Sequence, residues 1–120
     1  MQTAPIALQT VLADRFISTE VTGFMLLFPA VWVGEILRID RSQILDLPFY
    51  DPLLVGVVHH SRQIIPLIAA ARLLKVGQFG TPDRSIVVRL NSTAGSIANI
   101  GLIVDRAIGS INRQDLPPEI

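Results

Sequence analysis

The chain has 120 residues, half of them hydrophobic and 17% charged, which excludes a disordered protein and fits one compact domain or two very small lobes sharing a core. Basic and acidic residues balance to a net charge of zero, and Lys75 is the only lysine among ten basic residues, so no broad electrostatic grip on nucleic acid or acidic lipid is expected. Cysteine is absent, which excludes disulfides, thiolate nucleophiles and cysteine-based zinc sites.

The N-terminus, MQTAPIALQTVLADRF, lacks a basic stretch ahead of its apolar residues and makes a poor signal peptide. Residues Ala4–Ala13 have Ile6, Leu8, Val11 and Leu12 on one helical stripe, with Pro5 in a first turn. We therefore expect residues 1–14 to form an N-terminal extension containing a short helix. From Phe16 onward the pattern changes to β-branched residues and frequent punctuation. Strands are expected at Phe16–Val21, Phe24–Phe28 and Val33–Ile39, with a tight turn at Thr22–Gly23. The longest apolar run, "FMLLFPAVWVG", is about eleven residues and is broken by Pro29, whereas a membrane helix needs about twenty. No membrane insertion is expected.

Further strands are expected at Leu53–His59, Gln63–Leu67, Ser85–Leu90, Ala98–Val104 and Ala107–Ile111. Pro48, Pro52, Gly77, Gly80 and Pro82 mark loops. "AAARLL" (Ala69–Leu74) predicts one short helix before Gly77. Residues Lys75–Arg84 read as a linker between two halves, and "NSTAGS" (Asn91–Ser96) reads as a hairpin loop. Many short strands with frequent turns give a mostly β fold, a small barrel or sandwich.

The inventory of reactive groups is poor. His59 and His60 are adjacent, and neighbours on a strand point to opposite faces, so the pair cannot readily share a metal. No third histidine exists. Ser61 lies close to them but lacks a nucleophile elbow and an orienting acid. Nothing in the spacing places Glu35 and Asp105 together as a carboxylate pair. Gly95, Gly101 and Gly109 match no phosphate or dinucleotide loop. No catalytic residue, cofactor or metal is therefore assigned, and a protein that works by contact is expected.

Several stretches, in order, resemble the CheW-like domain family of bacterial chemotaxis-type signalling. Pro29-x-x-x-Val33-x-Glu35-Ile36-Leu37 resembles its P-x-x-x-V-x-E-I stretch. Residues Ile44–Val58 resemble its "L-P … P … v-x-G-V-I" run through Leu47, Pro48, Pro52, Gly56 and Val57. "IIPLI" (Ile64–Ile68) resembles V-L-P-V-I, "SIVVRL" (Ser85–Leu90) the I-V-V-E strand, and "IGLIVDRAIGSI" (Ile100–Ile111) V-G-L-V-V-D-x-V-x-E-V. The resemblance covers residues 15–120. It implies two small SH3-like β-barrel subdomains, no catalytic activity, and two partners: the regulatory domain of a CheA-like histidine kinase, and the cytoplasmic tip of a chemoreceptor. It also implies a cytoplasmic protein recruited to membrane receptor arrays.

The family's N-L-R-G turn falls on His59, His60, Ser61 and Arg62, so the arginine is displaced by one residue and the glycine is lost. The partner-binding positions implied are Val33, Glu35, Ile36, Leu37, Gly56, His59, Ser61 and Arg62. Val33, Ile36 and Leu37 are equally well read as core, Glu35 as a solvated strand residue, and Gly56 as a requirement of backbone geometry. Trp32 reads as a half-buried lid or an interface anchor. Family members usually continue past the equivalent of "LPPEI" at residues 116–120. An uncovered sheet edge is expected from that, closed by homodimerisation, by a partner's strand or by Gln2–Ala13. The competing reading is a stand-alone β-barrel binding a small ligand in an apolar groove, which a ligand screen would separate. An enzyme is disfavoured by the residue inventory.

Overall fold

The computed structural model describes residues 14–47, 51–77 and 80–116. The N-terminal helix expected at Ala4–Ala13, its role as an edge cover and the end of the chain lie outside the described residues.

Among the described residues eight strands follow one another: β1 (Arg15–Val21), β2 (Phe24–Pro29), β3 (Val33–Asp40), β4 (Leu54–His60), β5 (Gln63–Ala69), β6 (Arg84–Leu90), β7 (Gly101–Val104) and β8 (Arg106–Asn112). Among the same residues one short α-helix, α1 (Ala70–Leu74), follows β5 directly and ends on Lys75 in the left-handed conformation. The fold is mostly β, as the alternating patterns require, in the two-subdomain SH3-like arrangement.

The strands sort into a three-stranded sheet ordered β2-β1-β8 and a five-stranded sheet ordered β3-β6-β7-β5-β4. The small sheet draws β1 and β2 from one end of the described chain and β8 from the other. The 75–84 segment, read from the sequence as a linker, lies between α1 and β6. Two-residue turns with positive φ at both central residues connect β1 to β2 (Thr22, Gly23) and β4 to β5 (Ser61, Arg62). This is the type I′ geometry, whose twist matches that of the flanking strands. The Asn91–Ser96 stretch is not a simple hairpin loop. It winds through short 3₁₀ turns over Ser92–Ile97, capped by the Asn91 side chain on the Thr93 amide, and β7 begins only at Gly101.

The five-stranded sheet closes on itself. Just past β3, Leu45 bridges to Val57 of β4 through two backbone hydrogen bonds of 2.9 and 3.0 Å. Inside the barrel so formed lie Leu37, Ile39, Val58, Ile65, Leu67, Val87 and Ile103. A second core packs the other faces of β6 and β7 against the small sheet and α1, with Val21, Phe28, Trp32, Ala70, Val88, Leu90, Leu102 and Val104 among its members. Strands β6 and β7 are thus buried on both sides, which explains the unbroken apolar runs "IVV" and "LIV". Trp32 is neither lid nor surface anchor: at 8% exposure it is part of the second core.

Candidate partner interface

Alternation along a strand sends every second side chain to the same face. Counting outward from the barrel core, the next inward-facing residue is Glu35 on β3 (after Leu37), Arg89 on β6 (after Val87), His60 on β4 (after Val58) and Gln63 on β5 (before Ile65). On β7 it is Gly101, where an added Cβ would lie 2.7 Å from Val87 and 2.8 Å from Leu67. The barrel mouth is therefore rimmed by four polar side chains and a glycine.

The four polar groups satisfy one another. Arg89 Nη1 donates to Glu35 Oε1 at 2.9 Å, and Arg89 Nη2 donates to Gln63 Oε1. His60 Nε2 lies 3.3 Å from Glu35 Oε2. Arg89 is the most sheltered of the ionic groups, its side chain 15% exposed against 31% for His60 and 41% for Glu35. The Arg89 guanidinium, and after it the His60 imidazole, hold the Glu35 carboxyl below the usual glutamate range.

Of the positions singled out from the sequence, Glu35 belongs to this rim. Ser61 and Arg62 form the exposed two-residue turn directly beyond His60 and Gln63, so the rim and the turn are continuous. Pairing runs through His60 and Gln63; only the two turn residues stand outside the ladder. Ile36 faces outward from β3, 45% exposed. His59 is exposed on the opposite face of β4 from His60, where it sits across from the exposed Ile64.

Three of the positions lie inside. Leu37 is buried in the barrel core, and Val33 is half-buried against the second core. Gly56 is buried because the closing bridge runs over it: a Cβ there would come within 2.5 Å of the Leu45 carbonyl oxygen. Sequence reasoning missed Arg89, His60 and Gln63 as members of the site. The signal was available in the period-two spacing from the core residues, and in Arg89 standing where the family strand quoted above has glutamate.

Among the described residues no three metal-ligating side chains gather. Glu35 and Asp105 are engaged separately, Asp105 accepting from the Thr22 amide at 2.7 Å. Two small hollows of about 280 and 260 Å³ flank the rim and share Arg89 and Asn99. A larger one, about 630 Å³, is lined by Asp14, Arg15, Asn112, Arg113 and Gln114, all polar. No helix among the described residues is long and apolar enough to cross a membrane.

A closed barrel whose strands β6 and β7 also pack against a second, smaller sheet, and which carries an ion-paired mouth, defines a two-sheet β-domain. Residues 15–118 match the CheW-like domain family model, and the chain belongs to that family. The scaffolding protein TtCheW from Thermoanaerobacter tengcongensis is similar in fold, with a TM-score of 0.66 at 18% identity. That match covers 91% of this chain and 74% of the other. No curated protein matches the sequence.

Proposed function

We propose that this protein is a non-catalytic adaptor of a chemotaxis-type signalling array, joining the cytoplasmic tip of a chemoreceptor to the regulatory domain of a CheA-like histidine kinase in the cytoplasm. The observation that carries the proposal is the family match over residues 15–118. The barrel mouth supports it: a half-exposed, charge-paired rim next to an exposed turn is the composition of a polar recognition surface. Ile36 adds an exposed apolar residue to the same strand as Glu35. The small-ligand reading gains no support from the 630 Å³ hollow among the described residues, whose lining side chains are polar where that reading needs an apolar groove.

A pull-down from the native cytoplasm tests the proposal. Recovery of a CheA-like kinase or a chemoreceptor is the expected result. Recovery of neither, with the protein folded and present in excess, overturns it.

A further inference from the structure

The rim contains one residue that touches both walls of the barrel mouth. Arg89 bonds to Glu35 on β3 through one nitrogen and to Gln63 on β5 through another. These two strands are not neighbours. Between β3 and β5 the sheet runs through β6 and β7, and on the other side it closes only at the Leu45–Val57 bridge. Backbone pairing therefore leaves the gap between Glu35 and the β4–β5 tip unspecified at this end of the barrel. Side chains must set it.

Two links cross the gap, His60 to Glu35 and Arg89 to Gln63. The imidazole link depends on the proton state of the ring, whereas a guanidinium stays charged and offers a planar fork of donors. Arg89 is also anchored better than any residue of the tip. Its strand has Val87 in one core and Val88 and Leu90 in the other, all fully buried. The tip has no such support: Ser61 and Arg62 are exposed and held at φ of 48° and 65°. Because Arg89 is 15% exposed, it lies beneath the surface while the groups it holds lie on it.

We infer that Arg89 is the positioning residue of the partner-binding face, fixing the Ser61–Arg62 tip relative to Glu35 from below. The inference rests on the adaptor reading above. It assigns the order of that face to a residue outside the eight positions read from the sequence.

The test compares Arg89→Met, which keeps the length of the stem, Arg89→Lys, which keeps the charge but not the fork, and Gln63→Ala, which frees the tip while leaving the Glu35–Arg89 pair. Two quantities are read: backbone amide exchange over residues 59–64, and affinity for the purified regulatory domain of the CheA-type kinase of the same organism. Arg89→Met is expected to speed exchange at the tip and weaken binding, each by about tenfold, the scale of one charge-assisted hydrogen bond. Gln63→Ala should reproduce most of both effects, and Arg89→Lys should fall between. Exchange in Leu102–Val104 should not change, which separates a loosened tip from a loosened core. If Arg89→Met also loosens Leu102–Val104, Gln63→Ala decides. Wild-type exchange at the tip overturns the inference, and so does faster exchange with unchanged affinity. Failure of the wild-type protein to bind the kinase domain overturns the adaptor reading instead, and the exchange measurement still decides whether Arg89 holds the tip.

Discussion

Glu35 and Arg89 are register partners on β3 and β6, and their side chains meet at 2.9 Å one alternate step beyond Leu37 and Val87, where the barrel core ends. The ion pair thus occupies the layer at which apolar packing gives way to solvent. Polar groups in such a layer must find partners or water. Here they find one another, and His60 and Gln63 complete the set.

Because Arg89 and His60 favour the charged carboxylate, Glu35 has a lower pKa in the folded protein than its ordinary value of 4.5. A depressed carboxylate contributes stability above its unfolded pKa and loses that contribution as pH falls through the folded value. The urea midpoint of the wild type should therefore exceed that of Glu35→Gln near neutral pH. The difference should shrink as pH falls below the ordinary value of 4.5 and through the lower folded one. With the side chain 41% exposed, the gap should be modest. A gap that is constant with pH would show that the pair is energetically silent.

Gly56→Ala should cost about 1–3 kcal/mol in urea unfolding, the range for forcing extra volume into a filled site. The new Cβ would sit 2.5 Å from the Leu45 carbonyl oxygen and 2.8 Å from Ile44, so the bridge that closes the barrel would have to open. A variant of wild-type stability but weakened partner binding would mean that Gly56 acts by contact.

Replacing the Ser61–Arg62 turn by Asn-Gly should raise stability by about 1 kcal/mol, since both residues now hold left-handed φ values that cost an ordinary L-residue about that much. The same variant removes the Arg62 guanidinium from the exposed tip. Stability should therefore rise while affinity for the kinase domain falls. A parallel change in both would contradict a contact role for the tip.

Ile36→Asp and Arg62→Glu should weaken kinase or receptor binding, by about 2 kcal/mol for a central contact, with circular dichroism unchanged. Ile36 suits this test better than Val33, which packs against the second core, so that a charge there would unfold the domain before it tested a surface. Wild-type affinity for both variants would exclude this face.

Trp32 is the only tryptophan and is buried, so its fluorescence should report cooperative unfolding by a shift to longer wavelength. Its indole N–H has no hydrogen-bond partner within the described residues. Trp32→Phe therefore breaks no bond within the described residues and, keeping an aromatic ring in the core, should cost clearly less than removal of the side chain. Trp32→Ala should cost about 3–5 kcal/mol and leave little of the usual margin. Equal losses in the two variants would point to a bond through the indole nitrogen.

The sequence by itself determined the strands, because alternation and β-branched runs are local properties. Phe16–Val21, Phe24–Phe28 and Gln63–Leu67 each fall within one or two residues of the observed strand, and Thr22–Gly23 is the turn its composition demands. It also indicated the family, through colinear apolar and proline positions that follow the folded core. The partition of those strands was not local. That β8 joins β1 and that β3 meets β6 depends on pairings between residues far apart in the chain, which no periodicity encodes. The site divided along the same line. Of the candidate site, Glu35 and a polar turn at His59–Arg62 were read from the sequence. The narrowing of that turn to Ser61–Arg62 needed the β4–β5 pairing, the choice of His60 over His59 needed the direction of Val58, and Arg89 needed its pairing with β3. A side chain's face is settled only when the core chooses which alternate set it will bury. That choice belongs to the closed barrel as a whole.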